Sequence, residues 1–140
     1  MIYGTAKAYF LQKLQAAQNK LIRLITFSDP IQNVDHQYLN LSILKIDKLY
    51  KWELAKFLFN LDKHLVPQVF LNFLPKINHN YNTRNRVKMK FQLSNPKTEI
   101  GKSSIKFHGP LLWASLSVNL KEVSELKAFS KACKTEILGK

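Results

Sequence analysis

A chain of 140 residues, 46% of them apolar, has room for one domain and can bury a core without a disulfide or a metal. A single cysteine, Cys133, excludes an internal disulfide, and His36, His64, His79 and His108 stand at no metal-ligand spacing, so no cofactor is expected. A net charge of +13, from 22 Lys and Arg against nine acids, points to a polyanionic partner, nucleic acid before membrane.

Taken in chain order, the first segment reads as a helix over residues 5–27. Leu11, Leu14, Gln18, Leu21 and Ile25 recur at steps of three and four and form its apolar stripe, broken at Gln18. Ser28-Asp29-Pro30 ends it, because the residue before a proline avoids helical backbone. The same segment is basic and free of acids, the pattern of an ordinary basic surface helix and also of a mitochondrial presequence. A short helix is expected over 31–39 and a turn at Asn40-Leu41-Ser42. A long helix over 46–64 follows, with Tyr50, Leu54, Phe57, Leu58, Leu61 and Leu65 on one face and Trp52 and Phe59 widening it. Pro67 stops that helix, and 71–74 forms one more helical turn before Pro75.

The character changes at Lys76. Residues 76–110 hold eight basic residues and one acid, a net of +7. Residues 78–82 read as a polar loop, and 74–85 is the one stretch that could act as a flexible waist. Residues 86–93 alternate strictly, with Val87, Met89, Phe91 and Leu93 one way and Arg86, Lys88, Lys90 and Gln92 the other, which predicts a strand. Asn95-Pro96 predicts a turn, and 103–107 a partner strand with Ile105 and Phe107 inward. The pair would form a hairpin with one apolar and one basic face. Gly109-Pro110 closes it, a short helix over 111–116 buries Trp113, and a last helix from about Ser124 carries the stripe Leu126, Phe129, Cys133 and Ile137.

The expected fold is therefore α+β and mainly α: a single domain over 1–140, made of a helical part (1–75), a basic loop and hairpin (76–110) and C-terminal helices (111–140). Catalysis finds no foothold in the pattern. Asp29, Asp35, Asp47 and Asp62 include no adjacent pair of the kind that holds two metal ions. Gly101-Lys102-Ser103 ends like a phosphate-binding loop, but Pro96 stands where the pattern needs its first glycine. Cys133, on an apolar stripe, reads as an inert buried thiol. The chain by itself is read as no enzyme, with no catalytic and no metal-binding residue.

The basic ribbon remains. Lys20, Arg23, Arg84, Arg86, Lys88, Lys90, Lys102 and Lys106 are the candidates for phosphate contacts, and Tyr81 for stacking on an unpaired base. The other reading of the same face is a solvated strand kept basic against edge-to-edge aggregation. Compositional bias toward Lys, Asn, Ile and Phe would also raise the charge without any selected partner.

Several stretches, in order, resemble one family. These are Leu11-Gln12-Lys13-Leu14-Gln15 with Gln18-Asn19-Lys20 and Arg23; Leu41-Ser42-Ile43-Leu44-Lys45 with Leu49-Tyr50; His79 with Tyr81-Asn82-Thr83-Arg84; Gly101-Lys102 with Ile105, Phe107, Gly109-Pro110 and Trp113; and Leu126 with Phe129 and Lys131. Together they resemble the region C-terminal to the polymerase palm in non-LTR (LINE-type) retrotransposon reverse transcriptases of the jockey and chicken-repeat kind. The chain departs from that pattern at Trp113-Ala114-Ser115-Leu116-Ser117, where the family has Trp-Asn-x-Leu-Pro, and at Pro96-Lys97-Thr98, where it has Pro-Arg-Thr. The resemblance implies a parent RNA-directed DNA polymerase, with this piece as a non-catalytic accessory domain. Its partners would be RNA or DNA backbone and the upstream polymerase domain, in the nucleus or cytoplasm, with no membrane. The alternatives are a packing module within a larger protein and an inactive relic of a decayed mobile element.

Overall fold

The computed structural model describes residues 6, 8–77 and 90–139. Among them the chain is mainly helical. Eight helical segments follow in order: α1 (Ala8–Thr26), α2 (Asp35–Asn40), α3 (Ile46–Asp62), α4 (Gln68–Leu71), α5 (Glu99–Lys102), α6 (Ile105–Ser115), α7 (Val118–Glu122) and α8 (Leu126–Gly139).

The core is built around α3. Leu54, Ala55, Leu58, Phe59 and Leu61 are buried, and α8 and α6 pack against them. Phe129 of α8 stacks on Phe59 at 4.4 Å between ring centroids and on Trp113 of α6 at 6.3 Å. Phe91, from the segment before α5, meets Trp113 edge-on at 5.6 Å. Four aromatic side chains from four stretches of sequence thus form one column, an arrangement that favours offset and edge contacts. Trp52 lies at its margin, its Nε1 donating to Ser130 O at 2.9 Å. Gly109 lets α6 come close, since a Cβ there would meet Leu58 Cδ2 at 3.3 Å and Leu74 Cδ1 at 3.5 Å.

A smaller cluster of Ile22, Val34 and Tyr38, with Ile43 against it, joins α1 to α2. Its fastenings are polar. Gln15 Nε2 donates to Tyr38 Oη at 2.9 Å, Tyr38 donates to Asn19 Oδ1 at 2.8 Å, Gln15 Oε1 accepts from Ile46 N at 3.1 Å, and Gln18 Nε2 donates to Leu44 O at 2.9 Å. Gln18 is therefore no flaw in an inward stripe. It belongs to the face that packs, while Leu14, Leu21 and Ile25 are exposed. The expected stripe of α1 is corrected: Leu14, Leu21 and Ile25 point out, whereas Leu11 is half-buried and Gln18 packs inward.

The three helices α1, α2 and α3 end alike. Phe27, Ser42 and His64 adopt left-handed φ of 51°, 52° and 57°. The next residue's N–H returns to the carbonyl five residues back: Ser28 to Arg23, Ile43 to Tyr38 and Leu65 to Asn60. This is the Schellman closure, built here without glycine.

The basic hairpin is corrected as well. Residues 103–107 form no strand, because α6 runs from Ile105 through Pro110 to Ser115. Gly109, Pro110 and Trp113 are buried against α3, and tertiary burial outweighs the Gly-Pro break that a local reading sees. The short helix expected at 111–116 is the second half of this one. Residues 86–89 of the other expected strand lie outside the described residues. The rest of it reaches a different partner, as Lys76 and Phe91 form an isolated antiparallel bridge. Smaller shifts are that α2 starts at Asp35 rather than 31, that the helical turn falls at Gln68–Leu71 rather than 71–74, and that Leu65 is exposed rather than on the packed face. The last helix begins at Leu126, with Val118–Glu122 as a separate short helix before it.

Phe129→Ala should cost about 3–5 kcal/mol, the usual penalty for emptying a stacked core site, read as a lower urea midpoint. Phe27→Gly should stabilise the chain by about 0.5–1 kcal/mol, because Phe27 is 96% exposed and its left-handed backbone disfavours a side chain.

Candidate nucleic-acid interface

Pro75, Lys76 and Ile77 run beside Lys90, Phe91 and Gln92, with Ile77 N donating to Lys90 O at 3.0 Å and Gln92 N to Pro75 O at 2.8 Å. Residues 75–77 and 90–92 therefore lie side by side. Phe91 fixes this pairing by inserting fully into the core against Trp113, and Leu74 does so from the other side.

The electrostatic fastening is Asp62, the last residue of α3. Its side chain is only 3% exposed and takes Lys90 Nζ at 2.7 Å and Lys76 Nζ at 3.5 Å. Lys76 Nζ also donates to Asp62 O at 3.0 Å and to His64 Nε2 at 3.0 Å. A buried carboxylate needs such partners, since an unpaired charge in the interior is costly. The lysines remain open to water at 35% and 52% exposure. Lys106 joins the same edge by lying over the ring of Phe73, 4.9 Å from its centroid. Phe73 precedes Lys76 by three residues. Lys76 and Lys90, gathered on one buried acid, and Lys106, over the ring of Phe73, are the collar of cations beside residues 75–77 and 90–92.

Lys90 and Lys106 stand in the collar. Lys102 is exposed on α5 and paired with Glu99 at 2.7 Å, one turn of chain from Lys106. Tyr81, Arg84, Arg86 and Lys88 lie outside the described residues. Lys20 and Arg23 are on α1, by the smaller cluster. Arg23 Nε and Nη2 both donate to Gln32 O, at 3.3 and 3.1 Å, and fasten the chain between α1 and α2. The structure does not set Lys20 and Arg23 among the collar lysines. Asp62 was missed as a determinant. Its one signal in the sequence is position, as an acid next to Leu61 and one turn beyond Leu58 on a helix with a broad apolar face.

Chemically, the collar offers ammonium groups that are held in place yet hydrated, suited to phosphate oxygens. Among the described residues no group of three or more His, Cys, Asp or Glu converges as a metal site would, and no helix is long and apolar enough to cross a membrane. Cys133 is buried on α8. No protein-family model, curated protein or solved structure matches the chain.

Removing the two ends of the Asp62 cluster should have unequal effects. Lys76→Met with Lys90→Met strands a buried carboxylate and should cost about 2–3 kcal/mol, the low end for breaking a buried pair because water reaches the lysines. Asp62→Asn frees two hydrated lysines and should cost about 1 kcal/mol. Urea unfolding of the three proteins checks the order.

Proposed function

We propose that the chain is a non-catalytic nucleic-acid-binding domain whose phosphate-binding surface is the collar of Lys76, Lys90 and Lys106 together with segment 78–89. The observation that carries this reading is the pairing of Lys76 and Lys90 on Asp62, with Lys106 over Phe73, on either side in sequence of Arg84, Arg86 and Lys88, where Glu99 is the one acid in 76–110. Glu99 is already paired with Lys102, and Asp62 is buried beneath the collar. The remaining field is positive and faces water.

Tyr81 supplies a ring for stacking on an unpaired base, which favours single-stranded or looped nucleic acid over a perfect duplex. Lys20 and Arg23 contribute less in this reading. The resemblance to the region downstream of the palm in non-LTR reverse transcriptases supports the same role: an accessory domain that holds template or target while another part of a parent polymerase does the chemistry. A second reading, a packing module within a larger protein, is favoured by the apolar face that α1 turns to solvent.

Fluorescence anisotropy with a structured RNA, a single strand and a duplex DNA, repeated across salt, tests the first reading. The informative variant is Arg84→Glu, Arg86→Glu, Lys88→Glu and Lys106→Glu together. It spares Lys90 and Lys76, whose loss would disturb the fold. Binding should weaken at least a hundredfold, about 3 kcal/mol, and the slope of log affinity against log salt should fall by roughly 0.7 per lost contact on a single strand. A folded variant that binds as well as the parent would remove the collar and its segment from the account.

A further inference from the structure

α1 packs with its polar side inward. Gln15, Gln18, Asn19 and Ile22 face the body, where the glutamines and Asn19 bond to Tyr38, Leu44 and Ile46. Phe10, Leu14, Ala17, Leu21 and Leu24 face out, and all five are exposed, Leu24 at 70%. Their steps are four, three, four and three, the seam spacing by which one helix packs lengthwise on another. At 1.5 Å per residue the seam is about 21 Å long. Lys13 and Lys20 flank it on one edge, seven residues apart, and α1 contains no Asp or Glu.

We propose that this seam docks a helix of a partner protein that carries apolar residues along its own seam and acids along the edge facing Lys13 and Lys20. The proposal deepens the packing-module reading, on which it rests, and is independent of nucleic-acid binding. The charge selects the occupant. A second copy lying antiparallel would set Lys13 and Lys20 against the same lysines, with no acid on either helix to offset them and +13 on each chain. A parallel copy would leave those lysines beside Gln18 and Ile25, without an ion pair. An anionic membrane fits less well. The outward and body-facing rows lie about 120° apart at 100° per residue, so the body would be carried against the headgroups with the helix.

The test uses the full chain and three synthetic helical peptides of 21 residues. The first has Leu at seam positions and Glu at the flanks. The second keeps the Leu seam with Lys flanks. The third keeps the Glu flanks with Ser at the seam. Isothermal titration should show micromolar binding of the first and at least tenfold weaker binding of the other two. Leu14→Ser with Leu21→Ser should lose the first peptide without loss of helicity, since both residues are exposed. Lys13→Glu with Lys20→Glu should reverse the preference in favour of the second peptide. Equal binding of the first and third peptides, concentration-dependent dimerisation lost in the Leu14→Ser, Leu21→Ser protein, or recruitment to phosphatidylserine vesicles lost in that protein would each overturn the proposal. So would indifference to all three peptides. In that last case, strong binding of anilinonaphthalene sulfonate by the chain leaves the packing-module reading standing on another face, and weak binding removes it as well.

Discussion

The stacking of Phe129 between Phe59 and Trp113 is the contact on which the remaining structure depends. It ties α8 and α6 to α3, elements whose sequence positions are some 50 to 70 residues apart. A column of that kind is set by hydrophobic area and ring geometry rather than by local propensity. It also explains how α6 can hold Gly109 and Pro110 within a helix. Burial of Trp113 and the close approach at Gly109 stabilise the helix where the local sequence disfavours it.

The column extends to the basic surface through Phe91. That ring closes the stack on the side of Trp113 and, in doing so, holds Lys90 and Gln92 beside Lys76 and Pro75. Asp62 then fastens the two lysines from below. The core and the basic surface are therefore linked: an aromatic peg and a buried carboxylate hold Lys76 and Lys90 side by side. Placing one acid beneath several lysines organises them without cancelling their field, since two or more positive charges remain at the surface for each negative one in the interior.

The sequence made the long helices legible because their apolar periodicity is strong. α3 follows its reading closely, from Ile46 to Asp62, and Phe129, Cys133 and Ile137 are buried on α8 as their spacing suggests. α1 was legible as a helix but not in its orientation. A local pattern shows which residues share a face, and it does not show that Gln15 and Gln18 have backbone and tyrosine partners elsewhere. The hairpin failed for a related reason. Ile105 and Phe107 alternate over a stretch too short to separate period two from the helical row Ile105, Gly109, Leu112, Leu116. Helix ends were located from Pro67 and from the Ser-Asp-Pro and Asn-Leu-Ser signals, but left-handed Phe27 and His64 give no glycine to read. Of the expected contact residues, Lys90 lies against Asp62 and Lys106 over Phe73; the acid that fastens Lys76 and Lys90 became visible only in three dimensions.

Nuclear magnetic resonance of the isotopically labelled chain, titrated with a short single-stranded RNA at moderate salt, tests the central claim most directly. The account predicts that amide shifts concentrate at residues 76–77, 90–92 and 102–106 and within 78–89, while α8 and the outward side of α1 stay unchanged. Shifts spread evenly over all exposed lysines, or confined to α1 or α8, would contradict the collar as the binding surface.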